Sequence, residues 1–573
     1  MSDLPIPEED IIVGCASGAL ILDIGRYDRT QVAEESLVSR CIALHNDGRI
    51  DLLSLVDKSQ FSALVAHRFF ILQNFFCEAI PRLEAPTGQM LRTVEVLVKK
   101  GGDDLASNMP NDALRSWLSK DIERAKHVVD MAHAGDEYAS RSLAFAVEAL
   151  GDIELARSII TRFSDKRRLS GMSALGRLKS QDAMQADASA SLVLPYISAQ
   201  YDEETRCNAL ISIFKICEHY PSLFSNHIPP AVTSSLESST EATKFALARA
   251  IWFFPKMFNK SSLQSALDAF VSVDASKTGI IHDLDYGLAA LLDTQHRDIV
   301  LHFLETVLSR DESSIELSQF KSVKHKMANE DRNKLFVVVT RWLLTGNHRV
   351  SEAATALLRT GEKEKQFDCT TEGLKISDAD LAILAHRAIG YLLITNPVVT
   401  TSIMVACLRG AGSAIAAEIG ELLFDPILIN YGGSPRDYLR TIKRGDRAYK
   451  QVRRALKLSD THFTGLDIKD PIKELRPSDY QRSAERTRRR DMMRQVRKDA
   501  NKQSILANLV HRSTLLHGRK SMTFVPGPDD ELRPMVMDLH SFGTSFEVPL
   551  MEILDPVGLD LTLFSCRIAG SRK

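Results

Sequence analysis

The stretch LVHRSTLLHGRK carries Arg512 and His517 with four residues between them. An arginine fork matches phosphate oxygens and an imidazole exchanges protons near neutral pH, so this pair suits chemistry on a phosphodiester. Other searches for chemistry fail. There is no HExxH, GxSxG, kinase motif set, EF-hand loop or GxxxxGK[ST], and Gly14 and Gly18 alone do not cradle a phosphate. Cys217-Glu218-His219 is a poor ligand set, because adjacent residues point apart on a helix. Glu547, Glu552 and Asp555 are acidic and close in sequence, but their spacing demands no metal. No cofactor and no metal is implied.

The spacing of Arg512 and His517, with Ser513 after the arginine and Gly518 after the histidine, resembles the Rx4–6H motif of HEPN-superfamily ribonucleases. The resemblance implies a helical pair or dimer that brings two such motifs together for metal-independent attack of a ribose 2′-hydroxyl on the adjacent phosphate. Arg512 would then stabilise the phosphate charge, His517 would be the acid/base group, and Ser513 would fill the polar position after the arginine. The stretch STLLHGRKSMTFV also alternates as two strands joined near Gly518, which would place the pair in a hairpin instead.

The near-neutral total charge of −2 hides a segregation along the 573 residues. Residues 436–520 hold 24 Lys/Arg against 10 Asp/Glu, a net of +14, whereas residues 1–435 carry −12 and residues 521–573 carry −4. Ser434-Pro435 reads as a helix start, with Tyr438, Ile442, Tyr449, Val452 and Leu456 on its inner face. Arg440, Lys443, Arg444, Arg447, Lys450, Arg453 and Arg454 lie largely around the rest. A second helix starts at Ser478, with Gln481 completing a capping box. Arg482, Arg486, Arg488, Arg489, Arg490, Arg494, Arg497 and Lys498 make most of its circumference cationic. Such density can neutralise phosphates by counterion release, so RNA or DNA is the expected partner of this segment. An acidic protein, the acidic array of the same chain, or plain solvent are the competing neighbours.

Between about residues 110 and 430 apolar residues recur at helical spacing in paired segments. Leu284, Leu288, Leu291 and Leu292 form one stripe, and Ile299, Phe303, Leu304, Val307 and Leu308 form the next after the turn DTQHRD. A further pair opens at Asp331, with Leu335, Val338, Val339, Trp342 and Leu343 as its stripe, Gly346 as a C-terminal cap and residues 350–358 as the return helix. First helices near Glu204, Glu241, Asp283, Asp331 and Asp378 are spaced by 37, 42, 48 and 47 residues, which resembles HEAT and armadillo arrays. That resemblance implies an α-solenoid whose stacked helices share a core and bind an extended protein partner on one face.

The uncharged run from Ala388 to Leu408 is nearly long enough to span a bilayer, but Asn396-Pro397 in its middle fits a turn between two buried helices. No membrane association is expected. The acidic start and eight scattered cysteines without a CxxC pair suggest a reducing, cytoplasmic setting. DIIVGCASGALILDIG suits either two short strands over 11–25 or a first helix, and the last fifty residues, including LDLTLFSCRIAG, read as strands bounded by Gly and Pro.

The expectation is therefore a mainly α fold: an α-solenoid with a basic helical segment and a small C-terminal β module. Its parts are a helical region over 1–105, an array over 106–433, the basic segment over 434–520 and the β-rich module over 521–573. The expected function is a non-enzymatic scaffold that binds a protein on its array and nucleic acid through 436–520. The alternative is a ribonuclease, as a toxin or defence effector, using Arg512 and His517. Self-association is left open.

Overall fold

The computed structural model describes residues 6–24, 36–64, 66–102, 108–237, 239–310, 315–358, 376–467, 478–503, 512–516, 520–526, 532–538 and 547–570. The chain is mainly α and solenoid-like. It groups into two compact units, one of residues 1–231 with 479–542 and the other of 232–478 with 543–573.

In the first unit, aspartate starts helix after helix. Asp121, Asp136, Asp152, Asp182 and Asp202 each accept a backbone N–H one turn into the helix that follows. Part of the acidity of residues 1–435 is thus spent on orphan donors at helix N-termini, where a carboxylate also opposes the helix dipole. Ile122–His133 packs on Glu137–Leu150, which packs on Lys166–Leu175, which packs on Glu203–Cys217. Glu137–Leu150 also packs on Met109–Ser119, so alternate helices of the array stack on one another.

Side-chain ties repeat this period. His127 meets Thr87, Tyr220 donates to the Ser180 carbonyl and His227 meets Asp187, each across 40 residues, while Trp117 donates to the Leu83 carbonyl across 34. Arg49 to Glu8 spans 41 residues, so the pattern already operates near residue 8.

The second unit holds two rows of helices. In one, Glu241–Phe253 packs on Thr278–Leu291, then Lys321–Ala328, then His348–Leu358; in the other, Arg332–Leu344 packs on Asp378–Leu392, then Ser413–Leu422. The expected register of first helices fails here, because Asp331 and Asp378 open helices of the second row while Asp283 lies inside a helix of the first. The short helix Lys321–Ala328 shifts the count, and the buried carboxylate of Asp285 starts it by accepting the N–H groups of Ser322 and Val323 at 2.7 and 2.8 Å. The expected apolar stripes are otherwise buried, and Gly346 caps its helix at φ 78°.

Asn396-Pro397 forms the turn expected of it. Pro397–Gly410 follows at once and is buried at every position from Val398 to Leu408. Among the described residues no helix is long and apolar enough to cross a membrane.

One open alternative is decided and two local expectations are corrected. Residues 11–24 are helical, as Glu8–Ser17 and Leu20–Ile24, because Ile11, Gly14 and Cys15 bury one helical face and Glu8, Glu9 and Asp10 favour the N-terminus. Ser434 does not cap its helix. Ser434–Arg440 takes Gly433 as its N-cap, and the chain breaks at Gly445 (φ 108°) before Tyr449–Asp467 begins.

The third concerns residues 521–573, where the strands expected at MTFV and PMVMD are present but the described residues from Met551 onward are helical. Three strands, β1 (Arg512–Leu516), β2 (Lys520–Pro526) and β3 (Leu532–Asp538), form an antiparallel sheet in the order β1-β2-β3 that begins inside the expected basic segment. LDLTLFSCRIAG is helical. Asp555 accepts the Gly558 N–H, Pro556 occupies the first turn, and Leu559, Leu563 and Cys566 fall on one buried face of Pro556–Arg567. The alternation Leu559, Leu561, Leu563 runs too briefly to impose a strand over these helical signals.

Candidate nucleic-acid interface

The first basic helix, Tyr449–Asp467, is amphipathic in the expected sense. Val452, Ala455, Leu456 and Ser459 are buried, and Lys450, Arg453, Arg454 and Lys457 are exposed. The helix is placed at its start by Asp446, which accepts the Ala448 N–H at 2.9 Å and a hydrogen bond from Arg409 Nη2 at 2.8 Å. Arg409 holds the Asp446 carboxyl below the usual carboxylate range. Of the expected cations, Arg453 lies over the Tyr449 ring and Arg454 pairs with Glu421 at 3.2 Å, while Arg444 and Arg447 are exposed in the turn before the helix.

The second basic helix, Asp479–Gln503, follows Ser478 as expected. Every described side chain on it is exposed, including Arg486, Arg488, Arg490, Arg494 and Lys498, as well as Tyr480 at 82% and Met492 at 62%. The backbone of Arg489 and Arg497 belongs to this helix; their side chains lie outside the described set. Arg494 meets Asp491 at 3.6 Å; among the described residues Arg486, Arg488, Arg490 and Lys498 have no carboxylate within ion-pair reach.

Arg512 is the first residue of β1 and stands opposite Phe524 of β2. A strand is not the helical setting that its motif implied. Leu516 pairs with Lys520, and His517 lies outside the described residues. The acidic trio is also dispersed: Glu547 accepts from the Gly433 and Ser434 N–H groups, and Asp555 caps Pro556–Arg567. Among the described residues no group of three or more His, Cys, Asp or Glu could hold a metal ion.

No family model matches the chain, and no curated protein is significantly similar to it. The functional reading therefore rests on the surface itself.

One feature of that surface escaped the sequence reading. On the second unit, Phe253, Trp252 and Tyr286 form a continuous ring stack, with centroids 4.6 and 5.0 Å apart and planes within 26° and 22°. Arg249 closes over Phe253, and His282 meets the edges of Trp252 and Tyr286. Phe253 is 52% and Tyr286 43% exposed, so the stack presents apolar ring surface to solvent. Trp252-Phe253 at a helix end was visible, but its stacking on Tyr286 depends on two helices of one row meeting. Gly287 permits that approach, since a Cβ there would stand 2.8 Å from Ile251.

The described cysteines are free thiols. Burial pushes Cys41, Cys217 and Cys407 up to about 12, which makes them poor nucleophiles near neutral pH.

Proposed function

We propose that this protein is a scaffold whose helical array, of HEAT or armadillo type, binds a protein partner and whose basic helices bind the phosphate backbone of RNA or DNA. The observation that carries the second half is the exposure of every described side chain on Asp479–Gln503. A basic helix docked on the acidic array would have covered and ion-paired cations. Here Arg486, Arg488, Arg490 and Lys498 stand in solvent, free to neutralise phosphates and release the cations condensed on a nucleic acid. The exposed Phe253–Trp252–Tyr286 stack with Arg249 supports a protein partner on the array, since aromatic and arginine side chains dominate interface energetics.

Fluorescence anisotropy of labelled RNA and duplex DNA at low ionic strength tests the nucleic-acid half, with polyglutamate as competitor. Binding that resists polyglutamate supports it. Displacement at equal charge concentration assigns the helix to acidic protein instead.

A further inference from the structure

The Pro556–Arg567 helix is apolar on two opposite sides. One side docks firmly: Leu559, Leu563 and Cys566 are buried, Arg567 Nε donates to the Gly390 carbonyl at 2.7 Å, and the buried Arg387 donates from Nε to the Ala569 carbonyl at 3.0 Å and from Nη1 to the Leu343 carbonyl at 2.9 Å. Gly390 lets the two helices touch, since a Cβ there would stand 2.7 Å from the Arg567 nitrogen.

The other side is bare. Val557, Leu561, Phe564 and Ile568 are 67, 64, 57 and 50% exposed and recur at spacings of four, three and four, the seam of a helix that packs on another helix. Ile553 and Leu554, at 52 and 64%, extend it. Large apolar side chains exposed together in this way mark an interaction site.

The charges flanking this ridge select the partner. Asp560 and Arg567, both exposed, lie on one flank seven residues apart. If two copies of the helix pair antiparallel about a point between Thr562 and Leu563, Leu561 faces Phe564 of the other copy and Val557 faces its Ile568. The flank of one copy then meets the same flank of the other in reverse order, which brings Asp560 within about 3 Å along the axis of the other copy's Arg567, twice over. Antiparallel helix dipoles favour the same arrangement.

We propose that the protein forms a two-fold dimer through antiparallel pairing of this ridge with that of a second copy. Sedimentation velocity on the full chain between about 1 and 100 µM tests it. A two-chain species is expected, with Leu561→Glu/Phe564→Ser shifted to one chain at unchanged helicity, because both residues are exposed, and with a melting temperature that no longer depends on protein concentration. Asp560→Arg removes both symmetry-related ion pairs and should weaken association by about tenfold. A single-chain mass at all concentrations overturns the proposal, as does a dimer that survives Leu561→Glu/Phe564→Ser.

Orientation has its own test. Leu561→Cys stands close to its symmetry mate and should oxidise to a linked dimer, whereas the two copies of Val557→Cys are about 16 Å apart along the axis and should not. Equal cross-linking at both positions contradicts antiparallel pairing.

Discussion

The carboxylate of Glu547 accepts the backbone N–H of Gly433 at 2.6 Å and of Ser434 at 3.2 Å, across more than a hundred residues of sequence. Beside it, the Leu550 and Met551 N–H groups donate to the Asn430 carbonyl and side chain at 3.1 and 3.0 Å. The outgoing and returning chain are thus fastened to each other at the point where the basic segment leaves the array. Glu547→Ala should cost about 1 kcal/mol, the usual value of a lost N-terminal cap, with Glu547→Gln costing less. Hydrogen exchange should accelerate at residues 433–440 and stay unchanged in the helix Glu241–Phe253.

Arg409 and Asp446 set the start of the first basic helix, and both side chains are less than one quarter exposed. Asp446→Asn should lower stability by about 2 kcal/mol near neutral pH, as expected for a charge-assisted hydrogen bond that is mostly covered. The Asp446 carboxyl is held below its usual range, so its contribution is present above the unfolded carboxylate pKa near 4 and is lost as pH falls through the depressed folded value. Denaturant titrations of wild type and variant should differ between pH 5 and 8 and converge in acid.

Cys41, Cys217 and Cys407 hold their protons more tightly in the folded protein than in the unfolded chain, where a thiol ionises near 9. Their stabilisation is complete below pH 9 and is lost as pH rises from 9 toward 12. Stability should therefore decline across that range, and Cys41→Ala/Cys217→Ala/Cys407→Ala, although less stable at neutral pH, should show a shallower decline.

Gly390→Ala places a methyl group against the Arg567 backbone, where no flexible side chain can yield. It should cost about 1–3 kcal/mol by overpacking and raise hydrogen exchange in Pro556–Arg567 specifically. Protection there equal to wild type would show that the helix docks differently.

Much of the fold was legible in the sequence because it is local. Helical stripes such as Leu335, Val338, Val339, Trp342 and Leu343 need only a period of 3.6, and Asn396-Pro397 announces its own turn. The rest was hidden wherever distant residues decide. Nothing near Ser434 reveals that Glu547 will cap its helix, and nothing near Trp252 places Tyr286 against it. The short helix at Lys321 depends on Asp285 from the preceding helix of its row, so the repeat count slipped there. Pro556–Arg567 was misread because Leu559, Leu561 and Leu563 alternate, although Asp555 and Pro556 signal a helix start. For the candidate site, the cationic run was plain in the sequence, while the exposure of its second helix required the structure.

The most direct test of the account is the salt dependence of nucleic-acid affinity. The logarithm of the binding constant should fall linearly with the logarithm of salt concentration. Arg486→Gln/Arg488→Gln/Arg490→Gln should reduce the slope by about two to three, close to one per phosphate contact removed, at unchanged melting temperature. Binding that is absent at low ionic strength, or whose salt dependence is the same in the variant, would contradict the claim that this exposed basic helix is a phosphate-binding surface.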